Sequence, residues 1–146
     1  MADLSTLQLW HIGYLTHDFD AAAKSLSQLP GMGEFHPFEI GFSAQEMVLS
    51  EPFAVKTGTA MLGELLIEII QPLDPDTCVG RELEKRGEGI HHLAYAVPGG
   101  YDKLVSELES EGWTRVMAAN KDGIRNCYIV SPDQATVLEL IERIPG

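Results

Sequence analysis

A short apolar segment occurs twice in this chain, and the repeat limits the folds that the chain can adopt. Leu9–Leu15 aligns with Ile90–Ala96 at a constant offset of 92 − 11 = 81 residues, which matches His11 with His92. Branched and aromatic residues dominate both segments, and Pro98 follows the second, as is typical of a β-strand that ends in a turn. The repeat therefore predicts two similar modules that share one core.

Two further segments repeat, and each is an apolar strand with a carboxylate at its centre. Leu66–Ile70 matches Val137–Ile141, so Glu68 and Glu139 occupy equivalent positions. The spacing from His to Glu is 68 − 11 = 57 residues in the first copy and 139 − 92 = 47 in the second. An unpaired buried carboxylate is strongly unfavourable, so each Glu requires a cation, a partner or solvent.

The second strand contains two consecutive histidines, and alternation of side chains separates them. Successive residues of a strand point to opposite faces, so His92 and Ala94 share one face while His91 and Leu93 share the other. The face of His92 is small and suits the floor of a cavity. His91 has no equivalent histidine in the first copy, and we expect it to have a packing or surface role.

Hydrophobic periodicity predicts the order β-α-β-β-β in each copy, and hence an α+β fold. Asp18 and Thr77 are predicted to cap helices, and Leu26 and Leu108 are expected to lie in the core beneath the sheet. Residues 33–54 are the hardest part to interpret, and the pattern predicts a strand near Glu34–Ile40 and a further strand or loop over Phe42–Leu49. The predicted organisation is a single domain over 1–146, with a first module at 7–71, a linker helix within 72–88 and a second module at 89–143.

Composition excludes several classes of partner. The net charge of −12 argues against binding to nucleic acid or to anionic membrane surfaces. No apolar run is long enough to span a membrane, and Met1–Ser5 does not resemble a signal peptide. Cys78 and Cys127 lack the spacing of a disulfide framework or a zinc ribbon. A cytoplasmic location is therefore expected.

Two imidazoles and two carboxylates would form a mixed ligand set for one divalent metal ion per chain, such as Ni, Co, Mn, Zn or Fe. Positions left open on the ion would mark a catalytic site, where the metal polarises a carbonyl and a Glu removes a neighbouring proton. The alternatives are a structural His and a Glu that pairs with an arginine such as Arg125. Arg125 is also the candidate for binding a substrate carboxylate, since its planar fork suits bidentate pairing.

These residues resemble the vicinal-oxygen-chelate superfamily, which includes glyoxalase I, methylmalonyl-CoA epimerase, extradiol dioxygenases and the bleomycin resistance proteins. The resemblance rests on Leu9–Tyr14, Gly89–Tyr95, Glu68 and Val137–Leu140. It implies two βαβββ modules that form a curved mixed sheet around a metal-centred cavity. The metal ligands that it implies are His11, Glu68, His92 and Glu139. Glu68 and Glu139 are thus the candidate catalytic carboxylates, and the resemblance places the base at Glu139.

Within the superfamily, Gly89–Ala94 and the linker Gln71–Asp76 look most like methylmalonyl-CoA epimerase, while the ligand set also fits bacterial glyoxalase I. The likeness implies an isomerase, epimerase or lyase acting on a small substrate, such as an acyl-CoA thioester or a glutathione adduct, and working as a homodimer. One departure is Lys56–Ala60, which contains no carboxylate where the bacterial epimerase has a second catalytic Glu.

Two other functions remain open on the same fold. One is a metal-free protein that binds a small molecule or an antibiotic, which would have no need of two buried carboxylates. The other is a ring-cleaving dioxygenase, whose relatives usually bind their metal with two His and one Glu. The fourth candidate ligand, Glu68, disfavours this second reading.

Overall fold

The computed structural model describes residues 1–144, and the last two residues of the predicted domain lie outside this range. Within it the chain forms three helices and one mixed sheet of nine strands, which confirms the α+β fold. The strands are β1 (Gln8–Leu15), β2 (Phe38–Phe42), β3 (Met47–Leu49), β4 (Phe53–Leu62), β5 (Leu65–Pro72), β6 (Gly89–Ala96), β7 (Thr114–Lys121), β8 (Ile124–Val130) and β9 (Val137–Arg143). The helices are α1 (Phe19–Leu26), α2 (Cys78–Arg86) and α3 (Tyr101–Ser110).

The strand order is β2-β4-β5-β1-β6-β9-β8-β7-β3, and it reflects the sequence repeat. In the first copy β1 pairs in parallel with β5, and in the second copy β6 pairs in parallel with β9. The remaining pairs within each copy are antiparallel. β1 and β6 pair antiparallel at the centre, so the two strands that carry the repeated histidines lie side by side.

The segment that the sequence predicted least clearly, residues 33–54, connects the two ends of the sheet and contains two short strands. Phe38–Phe42 forms the edge of the first half, whereas Met47–Leu49 pairs with β7 at the edge of the second half. Only residues 43–46 join these strands, so the sheet must curve until its ends approach each other. Asn120 N, on β7, donates a hydrogen bond of 2.7 Å to the carbonyl oxygen of Glu46 and so holds this connection against the second half of the sheet. The result is a nearly closed, cup-shaped sheet.

Helices α1 and α2 begin at the predicted caps, and the three helices pack unequally. Asp18 caps α1 by accepting from Ala21 N, and Thr77 caps α2 by accepting from Gly80 N. α3 buries Tyr101, Leu104, Val105 and the predicted core residue Leu108 against β8 and β9. Leu108 is 1% exposed, as expected of a core residue. The prediction for Leu26 is wrong in part, because its side chain packs at the margin of a smaller cluster and is only half-buried.

The central β1–β6 pair contains one extra residue in each strand. In β1, Leu9 and His11 pair with consecutive partners, which leaves Trp10 as the bulged residue. In β6, the partners of Gly13 and Tyr14 skip one position, which leaves His91 as the bulged residue. A bulge interrupts the alternation of side chains. Each bulged residue immediately precedes a repeated histidine, so the irregularity is part of the repeat.

Candidate metal centre

The sheet brings the four predicted ligands to one point. The parallel pair β1–β5 places Glu68 beside the first central strand, and β6–β9 places Glu139 beside the second. One ligand atom from each of His11, Glu68, His92 and Glu139 lies within 4.8 Å of the others. A cluster of this size could hold a single metal ion, and its donors are the two imidazoles and two carboxylates recognised in the sequence.

The imidazole Nε2 atoms and the carboxylate oxygens face each other at short distances. His11 Nε2 lies 3.1 Å from Glu68 Oε1 and 3.3 Å from Glu139 Oε1. His92 Nε2 also lies 3.3 Å from Glu139 Oε1. The side chain of Glu68 is 23% exposed, against 10% for Glu139 and 0% for His92. Glu68 therefore lies on the open side of the cluster and His92 at its closed end.

The charges of the cluster are poorly balanced by protein alone. Among residues 1–144 no Lys or Arg forms an ion pair with Glu68 or Glu139. Burial lowers the pKa of His11, but the hydrogen bonds with Glu139 and Glu68 outweigh it and raise the pKa to about 9. Burial raises the pKa of Glu139, yet hydrogen bonds from His11 and His92 hold it well below its usual value.

This arrangement fits a divalent cation. His11 Nε2 and His92 Nε2 are buried, and among residues 1–144 their contacts with the carboxylates are too poorly aligned for good hydrogen bonds. Each nitrogen can therefore coordinate an ion inside the cluster when it is unprotonated. A divalent ion would neutralise the two carboxylates, which have no Lys or Arg partner in the described part of the chain. The mixed N/O donor set suits Ni, Co, Mn, Zn or Fe, and the residues present do not choose among them.

A second layer of hydrogen bonds repeats in the two copies. Thr57 Oγ1 donates to Glu68 Oε2 at 3.0 Å, and Asn126 Nδ2 donates to Glu139 Oε2 at 2.8 Å. Each donor lies two residues before the residue that pairs across the strands with its Glu, which makes Thr57 and Asn126 equivalent by register. Sequence analysis missed both, because identical residue types do not recur and the register was not known.

A glycine permits the closest approach in the site. Gly13 pairs with His92 across the central strands, and a Cβ at Gly13 would lie 2.0 Å from Cε1 of the imidazole. The ring thus lies directly over the backbone of the neighbouring strand. In the other copy the equivalent position is Ala94, which pairs with His11 and is fully buried. The side chain at this position therefore limits where each histidine can lie.

His91 is buried against Tyr128, which agrees with the expected packing role, but the expected face is wrong. The sequence placed His91 on the face opposite His92, whereas the bulge turns it toward its neighbour. His91 Nδ1 lies 2.8 Å from His92 Nδ1, and His91 Nε2 lies 2.9 Å from Glu82 Oε1 on α2. Burial lowers the pKa of His91, and the hydrogen bond with Glu82 only partly opposes this. Sequence analysis also missed Glu82, since only its contact with His91 distinguishes it from other helical carboxylates.

The structure does not bring Arg125 to the cluster. Arg125 precedes Asn126 on β8 and points to the opposite face of the sheet, where it lies 4.4 Å from the ring centroid of Tyr101. Its guanidinium donates to Glu142 at 2.7 Å and to Asp102 at 3.1 Å. Arg125 thus pairs with two nearby acids, and not with Glu68 or Glu139, the strand carboxylates that the sequence offered as its alternative partners. A substrate contact for Arg125 stays a prediction without support from this geometry.

Two neighbouring cavities open beside the cluster, and Glu68, Asn126 and Glu139 line both. The outer cavity has a volume of about 400 Å³ and the inner one about 150 Å³. The outer wall is mainly apolar and includes Trp10 and the exposed Phe38. The inner cavity is lined by Phe42, Phe53, Val55, Ile70, Val79, Met117 and Tyr128, among others. A small substrate with an apolar substituent would fit this shape.

Comparison with known proteins identifies the family. Residues 10–144 match the sequence profile of the glyoxalase/bleomycin resistance protein/dioxygenase superfamily. The chain belongs to this superfamily. The resemblance noted from the sequence is thereby confirmed, and the family includes both enzymes and resistance proteins. A curated relative, the uncharacterized protein YqjC of Bacillus subtilis strain 168, is 31% identical over 88 residues. This match covers 60% of the present chain and only 56% of YqjC.

Solved structures share the fold over almost the whole chain. Methylmalonyl-CoA epimerase from Mycobacterium tuberculosis is 25% identical, with a TM-score of 0.65, over 99% of this chain and 94% of that one. An epimerase variant from Streptomyces coelicolor, in complex with 2-nitronate-propionyl-CoA, is 20% identical, with a TM-score of 0.64, over 94% and 98%. The hypothetical protein BH1468 from Bacillus halodurans C-125 is 23% identical, with a TM-score of 0.59, over 97% of each chain.

Two expectations about the setting of the protein stay predictions. No helix within residues 1–144 combines the length and the apolar character needed to cross a membrane. The cytoplasmic location and the homodimer predicted from the sequence are separate statements that this observation does not test.

Proposed function

We propose that this protein is a divalent-metal-dependent enzyme that removes a proton next to a carbonyl group of a small substrate. The reaction would be an isomerisation, an epimerisation or a lyase step. The observation that carries the proposal is the cluster at the cavity wall, where two buried imidazole Nε2 atoms meet two carboxylates that have no Lys or Arg partner within residues 1–144. A binding protein for a neutral or anionic small molecule would gain nothing from this unbalanced charge.

In this proposal His11, Glu68, His92 and Glu139 hold the ion. When bound, a divalent ion supplies Lewis acidity, which polarises a carbonyl oxygen of the substrate. Glu139 is the proposed base, as the family resemblance implies. Its carboxylate lines both cavities, and Asn126 orients it with a neutral donor that leaves its negative charge intact. Glu68 is the more exposed ligand and the second candidate carboxylate.

The shape of the cavities supports a substrate that carries an apolar group beside its carbonyl. Phe42 and Phe53 stack at 4.7 Å and form one wall of the inner cavity, close to the carboxylates. An apolar substituent placed there would leave the carbonyl and the acidic C–H at the cluster. Acyl-CoA thioesters come first in a substrate panel because a similar epimerase structure holds 2-nitronate-propionyl-CoA, and glutathione adducts of 2-oxoaldehydes come second.

Metal content tests the first half of the proposal. Protein purified without chelators should contain about one divalent ion per chain, measured by inductively coupled plasma mass spectrometry. Alanine variants of His11, Glu68, His92 and Glu139 should each lose most of it. His17→Ala is the matched control, since this imidazole is exposed and remote from the cluster. A wild-type protein that stays metal-free and still binds small apolar ligands would favour the alternative, a binding protein of the same fold.

Solvent exchange tests the second half. Metal-loaded protein is incubated in D₂O with methylmalonyl-CoA, other acyl-CoA thioesters and the glutathione adduct of methylglyoxal, and deuterium is located by NMR. Incorporation at the carbon next to the carbonyl is the expected result for at least one compound. Exchange that requires the metal would distinguish the enzyme from a metal-binding protein without this activity.

A further inference from the structure

A chain of buried hydrogen bonds leads from helix α2 to the second ligand histidine. Arg86 Nε donates to Glu82 Oε1 at 2.9 Å, and the same oxygen lies 2.9 Å from His91 Nε2. His91 Nδ1 in turn lies 2.8 Å from Nδ1 of His92. The side chains of His91 and Glu82 are 1% and 7% exposed, so water does not compete for these contacts. His92 is thus tied to a helix outside the sheet.

When the rings of His91 and His92 are both neutral, only one placement of their protons satisfies all the hydrogen bonds that link Glu82, His91 and His92. A carboxylate is purely an acceptor, so His91 must carry its proton on Nε2 to donate to Glu82. Its Nδ1 then has only a lone pair. The short contact between the two Nδ1 atoms therefore requires His92 to donate from Nδ1, which leaves a lone pair on His92 Nε2. That atom is the one that faces Glu139 and the cluster.

We propose that Glu82 and His91 are positioning residues that hold His92 in the tautomer required for metal binding. A histidine coordinates a metal only through an unprotonated nitrogen, and the hydrogen bond made by the other nitrogen sets which one that is. Without His91, the carboxylate of Glu139, 3.3 Å away, would favour a proton on Nε2 instead. The hydrogen-bonded series Arg86–Glu82–His91, which we call the relay, opposes this and keeps Nε2 of His92 unprotonated. This inference rests on the proposed metal site.

The packing around the relay restricts its geometry. The ring of Tyr128 lies 4.8 Å from the centroid of His92 and 5.4 Å from that of His91, and so confines both imidazoles. Arg86 contacts the oxygen of Glu82 that His91 uses, and its second contact, to the carbonyl oxygen of Gln134 at 2.8 Å, anchors the end of the helix. The relay is therefore fixed at both ends rather than free to rotate.

The test compares three variants with a control. His91→Phe keeps a ring but removes the acceptor. His91→Asn retains an oxygen at the position of Nδ1, so it can still accept from His92. Glu82→Gln keeps the size of the side chain, but its amide can donate as well as accept a hydrogen bond. His91 then no longer has to carry its proton on Nε2. His17→Phe is the control, because it makes the same change at an exposed histidine.

The first readout is the position of the proton on His92 in metal-free protein. Two-bond ¹H–¹⁵N correlation spectra at about pH 8, above the ordinary pKa of histidine, distinguish the two tautomers. We expect the Nδ1–H form in wild type, in His17→Phe and in His91→Asn. The Nε2–H form should appear in His91→Phe, and a mixture in Glu82→Gln. An unchanged Nδ1–H form in both His91→Phe and Glu82→Gln would overturn the proposal.

The second readout is affinity for Zn²⁺, measured by competition with a chromogenic chelator. His91→Phe should bind about 10–100-fold more weakly than wild type, the usual effect of losing a partner of a ligand histidine. His91→Asn should recover most of this loss, which a role in packing alone would not produce. Should His91→Phe fail to fold, Glu82→Gln decides the matter: a tautomer that stays wholly Nδ1–H in this variant would overturn the proposal. If wild type binds no metal while its tautomer responds to His91, the proposed enzyme function fails and the relay stands.

Discussion

The two copies of the module use the same backbone plan but surround their histidines differently. His11 Nε2 contacts two carboxylates, whereas His92 contacts one carboxylate and is tied at its other nitrogen to His91. The bulged residues differ in the same way. Trp10 is 49% exposed and lines the outer cavity, while His91 is buried beneath the site. Duplication therefore provides the ligands, and the residues around them give each copy its own role.

The carboxylates show the same division. Glu68 and Glu139 occupy equivalent positions and each accepts one hydrogen bond from an equivalent strand, but the donor is a hydroxyl in the first copy and an amide in the second. Glu68 is also more exposed. A pair of equivalent ligands with unequal surroundings can separate metal binding from proton transfer, and the predictions below test how far this separation goes.

The largest expected effect separates the two carboxylates. Glu→Gln keeps the size of the side chain and one oxygen ligand but removes the basic carboxylate. Glu139→Gln should retain much of its metal but exchange the substrate proton about 10²–10⁴-fold more slowly, because a positioned acid–base group usually contributes a rate factor of this size. Glu68→Gln should lose far less. Rates of deuterium exchange at matched metal occupancy are compared, and the reverse order of the two variants would assign the base to Glu68.

The helices of the two copies should differ in their contribution to stability. Leu108→Ala on α3 should lower the free energy of unfolding by about 2–5 kcal/mol, because the side chain is 1% exposed and leaves a cavity. Leu26→Ala on α1 should cost only about 1 kcal/mol, since this side chain is half-buried. Urea unfolding monitored by circular dichroism measures both. Equal costs would mean that the two helices pack alike.

Exchanging the residues opposite the histidines should impair metal binding only at Gly13, where the ring of His92 fills the space of a Cβ. Gly13→Ala places a methyl group where the ring of His92 lies, so we expect a loss of about 1–3 kcal/mol in stability together with most of the metal affinity. Ala94→Gly should cost only about 0.5–1 kcal/mol and keep the metal. Metal titration and urea unfolding of both variants provide the comparison. Tight metal binding by Gly13→Ala would contradict the close approach seen in the structure.

The smallest effect concerns the segment that crosses from the first copy to the second. Hydrogen bonds from Ser43 and Lys121 lower the pKa of Glu46 to about 2, from an ordinary value of 4.5. A depressed pKa stabilises the fold above about pH 4.5, and this contribution is lost as the pH falls toward 2. Glu46→Gln should therefore unfold at lower urea than wild type at neutral pH and converge with it in acid. A difference that persists at low pH would contradict this assignment.

The sequence determined the parts of this protein that depend on local pattern and on repetition. Hydrophobic periodicity and caps located most of the strands and helices, and the repeat brought out His11, Glu68, His92 and Glu139 as one set. These inferences succeed because strand alternation, helix caps and duplicated segments are properties of neighbouring residues.

Only the tertiary structure decided the features that depend on register and on contacts between distant segments. A bulge of one residue reversed the expected direction of His91, and no local signal marks it. The partnership of His91 with Glu82, and of the two ligand carboxylates with Thr57 and Asn126, depends on how separate elements align. The pairing of β3 with β7, at the edge of the sheet opposite β2, likewise depends on the curvature that brings the two ends of the sheet together. Hydrogen-bond partners lie far apart in the chain, and their pairing is fixed only when the sheet has formed.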